Sequence, residues 1–129
     1  MSLLGSHSDC AGYSCVAAAL EQDLLMAFSV VEPGQDGAEE IEVHNVDEKF
    51  EEGGEKISND PEQKFFDGNK WINYFLSGYK ALMLHNENFT KLLSGPPKGL
   101  KIFIDSNVPI AAGLSSSSAL TVCTSILAA

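Results

Sequence analysis

The stretch Gly99-Leu100-Lys101-Ile102-Phe103-Ile104-Asp105-Ser106-Asn107-Val108-Pro109-Ile110-Ala111-Ala112-Gly113-Leu114-Ser115-Ser116-Ser117-Ser118-Ala119-Leu120 decides how this chain is read. Its first eight residues alternate. Leu100, Ile102 and Ile104 fall on one side and Phe103 on the other, the period of a half-buried strand. A turn of the form Pro-x-x-x-Gly follows, then four serines, and from Ala119 the chain is apolar with helical composition.

Strand, glycine turn and serine-rich helix start suit an anion. Gly113 permits a tight turn and lets a ligand approach with no Cβ in the way. The serines fall where helix N–H groups lack partners and the dipole end is positive, which suits phosphate. Their hydroxyls add donors for phosphate oxygens, or an oxygen ligand for Mg2+. No Lys follows the glycine, so the pattern is not a Walker A loop. A serine-rich start after a glycine is equally the pattern of a plain N-cap, and the loop by itself leaves the two readings level.

Upstream, Gly95-Pro96-Pro97 is a sharp break. Before it, Lys70–Glu87 reads as an amphipathic helix. Trp71, Phe75, Tyr79 and Leu82 share a face, with Ile72, Leu76 and Met83 beside them and Asp67 or Asn69 as its cap. Trp71 on that face reads as core. Further upstream, Ser14–Val31 predicts two strands around the polar break Glu21-Gln22-Asp23, although the run Ala17-Ala18-Ala19 suits a helix equally. Met1–Tyr13 reads as a loop. Within it, Gly5-Ser6-His7-Ser8-Asp9 taken alone is a surface turn with one His and one carboxylate.

The 129 residues carry a formal net charge of −10 and fit one domain. The charge is local: residues 32–67 hold 13 of the 18 acids and three of the eight Lys, and the other 93 residues sum to zero. This acidic segment reads as a solvated, insertion-like loop with one edge strand at Ile41–Val46. All eight basic residues are Lys. An acidic chain without Arg is a poor nucleic-acid binder and a poor match for an anionic membrane. Cys10, Cys15 and Cys123 form no metal or disulfide pattern and read as reduced thiols of a cytoplasmic protein. No signal peptide is visible, and the longest nearly apolar stretch, Ala119–Ala129, is too short to span a bilayer.

Two motifs together resemble a known family. Gly113-Leu114-Ser115-Ser116-Ser117-Ser118-Ala119-Leu120, after Asn107-Val108-Pro109, resembles the phosphate-binding motif of the galactokinase, homoserine kinase, mevalonate kinase and phosphomevalonate kinase (GHMP kinase) superfamily. Gly5-Ser6-His7-Ser8-Asp9-Cys10 resembles the galactokinase signature Gly-Glu-His-x-Asp-Tyr. Glu21-Gln22-Asp23 and Trp71-Ile72-Asn73-Tyr74-Phe75-Leu76-Ser77-Gly78-Tyr79-Lys80 look closest to the N-acetylgalactosamine kinase branch of galactokinases.

The resemblance implies an incomplete N-terminal GHMP kinase domain over 1–129, interrupted by the acidic segment 32–67. Its α+β fold would be a small, mixed, mostly antiparallel sheet with helices on one face. It implies ATP and Mg2+ as cofactors and galactose or N-acetylgalactosamine as the sugar, phosphorylated on its anomeric hydroxyl. It places His7 and Asp9 on the sugar, and Gly113, Leu114 and Ser115 to Ser118 around the nucleotide phosphates. It puts Ser117 near Mg2+ and Trp71 against the adenine.

Ser6 and Cys10 depart from the signature, where the family has Glu and Tyr. A Ser accepts from sugar hydroxyls more weakly than a carboxylate does. No catalytic residue is assigned in this chain, because the family's Asp belongs to a later glycine-rich motif beyond Ala129. The expectation is therefore a kinase fragment, inactive alone and monomeric at full length. The alternatives are a non-catalytic sugar- or ATP-binding sensor related to galactokinase, and a degenerate fragment.

Overall fold

The computed structural model describes residues 2–4, 11–50, 55–58, 64–68, 70–85 and 99–128. In chain order the elements are β1 (Ser2–Leu4), β2 (Val16–Ala17), β3 (Leu24–Val31), β4 (Glu40–Asn45), β5 (Glu55–Ser58), α1 (Ile72–His85), β6 (Gly99–Ser106) and α2 (Ser116–Ala128). Strands β1 and β2 form a separate antiparallel pair. The main sheet has the order β3-β6-β4-β5, with β3–β6 and β4–β5 antiparallel and β4–β6 parallel. This is the expected α+β architecture, with a mixed, mostly antiparallel sheet.

Strand alternation decides which face the helices cover. Ile41 and Val43 of β4, Ile57 of β5 and Ile102 and Ile104 of β6 are buried on one face, in register across the sheet. Ile72, Phe75, Leu76 and Tyr79 of α1 pack on them at helical spacing, and Leu120 of α2 completes the cluster. The opposite face carries Glu42, His44, Lys101 and Phe103, where His44 stacks on Phe103 at 4.8 Å between ring centroids.

The helices approach each other along small and hydroxyl residues. A Cβ at Gly78 would collide with the Thr121 carbonyl oxygen, so glycine permits the contact between α1 and α2. Thr121 Oγ1 donates to the Tyr74 carbonyl at 3.1 Å, and Ser125 Oγ donates to the Gly78 carbonyl at 3.2 Å.

Two sequence expectations need correction. The acidic segment is more than a loop with one edge strand: it supplies β4 and β5, and β4 lies inside the sheet between β6 and β5. Its Ile41 and Val43 outweigh its charges, because the acids sit at alternate positions and face outward. The apolar run before Glu21 contributes only Val16–Ala17, and it pairs with β1, in a stretch expected as loop. Its alanines offer little side chain to bury. The helix expected from Lys70 begins at Ile72. Of its proposed caps, Asn69 lies outside the described residues and Asp67 is exposed. No helix among the described residues is long and apolar enough to cross a membrane.

Candidate functional site

Because β4 and β6 run parallel, Asn45 and Ser106 finish at the same end of the sheet. The start of β5 arrives there too, since Glu55 pairs with Val43. The segments after β4 and β6 therefore meet at one end, the usual place for a ligand crevice where parallel strands finish. The first turns of α1 and α2 face the same crevice. Its wall includes Lys49, Phe50, Glu55, Lys70, Trp71, Tyr74, Ile110, Ala111, Gly113 and Ser115 to Ser117, around a volume of about 670 Å3. A smaller hollow of about 280 Å3 shares Lys49, Phe50, Trp71, Tyr74, Ser116 and Ser117 and reaches inward to Leu24, Ile104 and Leu120.

The loop carrying the serines is rooted by hydrogen bonds. Asn107 Oδ1 accepts from the Asp23 N–H at 2.7 Å, the Asn107 N–H donates to the Asp23 carbonyl at 3.3 Å, and Ser106 Oγ donates to that carbonyl at 3.1 Å. Beyond this root the backbone is unusual. Ala111, Gly113 and Ser115 have φ of 56°, 75° and 58°, alternating with Ala112 and Leu114, which do not. Alternation of this kind turns successive N–H groups into a concavity that suits an anion. For the non-glycine residues Ala111 and Ser115 the left-handed region costs about 1–3 kcal/mol each.

Ser115 is the residue at which α2 begins, since its carbonyl accepts from the Ala119 N–H at 3.0 Å. An ordinary N-cap sits in the extended region. Ser115 does not, and this separates the loop from a plain cap. Neither α1 nor α2 has an acidic residue in its first turn, in a chain with 18 acids. Both positive dipole ends are thus left uncompensated at the cleft.

The loop after β4 brings the other wall. Asn45 Oδ1 accepts from the Asp47 N–H at 2.9 Å, and Asp47 Oδ1 accepts from the Lys49 N–H at 3.1 Å. These successive Asx turns deliver Lys49 and Phe50 to the cleft. Phe50 meets Trp71 edge to face at 5.8 Å. Lys70 Nζ lies 3.7 Å from Glu55 and Lys49 Nζ 3.5 Å from Asp47. Among the described charged residues lining the cleft, two Lys face one Glu.

Of the residues singled out in the sequence, Trp71, Gly113, Ser115, Ser116 and Ser117 come together in this cleft. Leu114 is half-buried and Ser118 exposed, and neither is among the residues lining it. Trp71 is half-buried, touching the core while lining the cleft. His7 and Asp9, with Ser6 and Cys10, lie outside the described residues. Sequence reading missed Lys49, Phe50, Glu55 and Tyr74. The turn formers Asn45 and Asp47 after a strand pattern were the available signal for the first two. Nothing in the sequence marks Ala111 as left-handed.

Residues 73–129, from α1 through α2, match the GHMP kinases N terminal domain. The chain is 36% identical over 134 residues to a galactokinase of Dictyostelium discoideum, covering 99% of this chain and 24% of that protein. It is 30% identical over 139 residues to a galactokinase of Schizosaccharomyces pombe, covering 99% of this chain and 25% of that protein. It is also 30% identical over 132 residues to a galactokinase of Saccharomyces cerevisiae, covering 92% of this chain and 23% of that protein. The chain thus spans about a quarter of the length of these relatives. The domain match thus takes in the serine loop and both helices, and likeness to galactokinases runs along almost all of the chain.

Proposed function

We propose that the chain supplies the ATP site and the sugar loop of a galactokinase-type kinase. The observation that carries this is the convergence on one cleft of an alternating left-handed loop and two helix starts free of acids, beside an aromatic wall. In this reading the adenine stacks on Trp71, supported by Phe50, and the phosphates rest on Gly113 and Ser115 to Ser117. Lys49 and Lys70 add positive charge at the rim. Among the described residues no group of three or more His, Cys, Asp or Glu can hold a metal ion. Mg2+ suits such a site, because it commonly keeps waters and takes one or two protein oxygens with substrate phosphates. Ser117 is the protein oxygen we assign to it, where bound Mg2+ would neutralise charge on the phosphates.

His7 and Asp9, by family resemblance, hold galactose or N-acetylgalactosamine by its hydroxyls. The anomeric oxygen then bonds to the γ-phosphorus as the bond to ADP breaks. What these residues provide is alignment and charge stabilisation, the main work of phosphoryl transfer. The proton of the attacking hydroxyl goes to a base that we assign to no residue of this chain. The setting we assign is the cytoplasm.

Calorimetric titration of the 129-residue chain with Mg-ATP tests the reading. Saturable binding is expected, weakened about tenfold in Ser117→Ala and in Lys70→Ala, the scale of one lost charge-assisted hydrogen bond. No binding of Mg-ATP, or binding as tight as wild type by both variants, overturns it. A coupled galactose phosphorylation assay should show no sustained turnover by the chain alone.

A further inference from the structure

Asn73 is the second residue of α1, and its side chain turns back on the segment before the helix. Its Oδ1 accepts from the Phe66 N–H at 2.9 Å. Its Nδ2 donates to the Phe66 carbonyl at 2.9 Å and to the Gly68 carbonyl at 3.3 Å. One amide therefore grips both backbone groups of Phe66, as a neighbouring strand would, and closes the chain from 66 to 73 into a loop. Only a side chain with a donor and an acceptor side by side does this, which Asn supplies and Asp does not.

The closed loop contains Lys70 and Trp71, both on the wall of the cleft. Phe66 is partly buried against the core, and Lys70 Nζ lies over its ring at 5.5 Å. The same ammonium is drawn toward Glu55. The clamp thus fixes Phe66, Phe66 supports Lys70, and Trp71, inside the closed loop, meets Phe50 edge to face. We infer that Asn73 is a positioning residue, setting Lys70 and Trp71 opposite the serine loop so that adenine and phosphates are met together. The inference rests on the nucleotide reading of the cleft for its purpose, but not for its geometry.

Trp71 is the single tryptophan of the chain, so its emission reports this position alone. The experiment compares wild type, Asn73→Ala, the near-isosteric Asn73→Asp and the control Ser77→Ala. The control removes a hydroxyl that donates to the Asn73 main-chain carbonyl at 2.8 Å and leaves the clamp intact. For each, Trp71 emission and acrylamide quenching are read without ligand, Mg-ATP affinity by calorimetry, and folding by thermal melting.

The expected result is a red-shifted, more quenchable Trp71 in both Asn73 variants while they remain folded, with Mg-ATP bound about tenfold more weakly. Ser77→Ala should change neither. Unchanged emission in folded Asn73 variants overturns the inference. So does loss of cooperative folding in both, since the residue is then structural, and so does an equal shift in Ser77→Ala. If wild type binds no Mg-ATP, the nucleotide reading falls, and the Trp71 response alone decides the clamp: a shift confined to the Asn73 variants upholds it and no shift overturns it.

Discussion

On one side of β6 lies β3, Leu24–Val31, whose eight residues are apolar except Ser29. On the other lies β4, Glu40–Asn45, in which four of the six residues are polar or charged. By composition β3 should be the buried strand. Instead, Ile41 and Val43 of β4 are fully enclosed, while Phe28 of β3 is 57% exposed and Leu25 61%. The helix side chains cluster on the inward residues of β6, β4 and β5, while β3, although α2 runs beside it, adds only the partly buried Leu24 and Met26 to that cluster. Burial here follows position beneath the helices, and alternation lets an acidic strand present a clean apolar face. It also explains where the cleft forms: the strand parallel to β6 is β4, so the loop after the polar strand supplies Lys49 and Phe50 to the wall, while β3 reaches the inner hollow only through Leu24.

The largest test of this contrast pairs two truncations. Ile41→Ala should cost roughly 2–5 kcal/mol, because it opens a cavity in a closed core. Phe28→Ala, although it removes a larger side chain, should cost under about 1 kcal/mol, because its ring is mostly in water already. Urea unfolding of the two variants measures the difference. Equal losses would mean that β3 is as enclosed as β4 and would remove the contrast.

The next effect in size tests how closely α2 is held to α1. α2 is drawn against α1 by the Gly78 contact and by hydroxyls of Thr121 and Ser125 that donate to α1 carbonyls. Gly78→Ala must push the helices apart, at about 1–3 kcal/mol, the usual range for overpacking. An alanine that raised stability, as expected of an exposed mid-helix glycine, would show that the helices are not in close contact there.

How far these features were readable depended on whether local pattern and burial agree. β6 and α1 were legible because their periodicities, two and three to four, match the faces they bury. Gly113 and the serines were legible as a helix start. β5 was not, since Glu55-Lys56-Ile57-Ser58 has one apolar residue and depends on its pairing with β4. The interior place of β4 was hidden because acidic composition says nothing about which partners flank a strand. The left-handed Ala111 follows a tertiary root at Asp23, whereas the turns carrying Lys49 and Phe50 are local to Asn45 and Asp47 and only the parallel pairing of β4 with β6 brings them to the cleft.

The smallest effect belongs to the outer faces of the same two strands. On β4, Glu42 accepts a hydrogen bond from His44 Nε2 at 3.0 Å and has Lys101 Nζ at 3.5 Å. The His44 hydrogen bond chiefly, with the Lys101 charge adding to it, holds its carboxyl below the ordinary value of 4.5, against partial burial. On β3, the outward positions Leu25, Ala27 and Ser29 carry nothing that titrates in this range. A carboxyl whose value is lowered by folding adds stability that is complete above its unfolded value. That stability is lost as the pH falls through the lowered folded value. Wild type should therefore exceed Glu42→Gln in stability near neutral pH by a modest amount, as a half-exposed pair allows. The gap should close as the pH drops below 4.5. Leu25→Gln, at the matching outer face of β3, should run parallel to wild type over that window. A gap that persists unchanged at acid pH would show that Glu42 acts through packing rather than charge, and the two outer faces would then differ in shape alone.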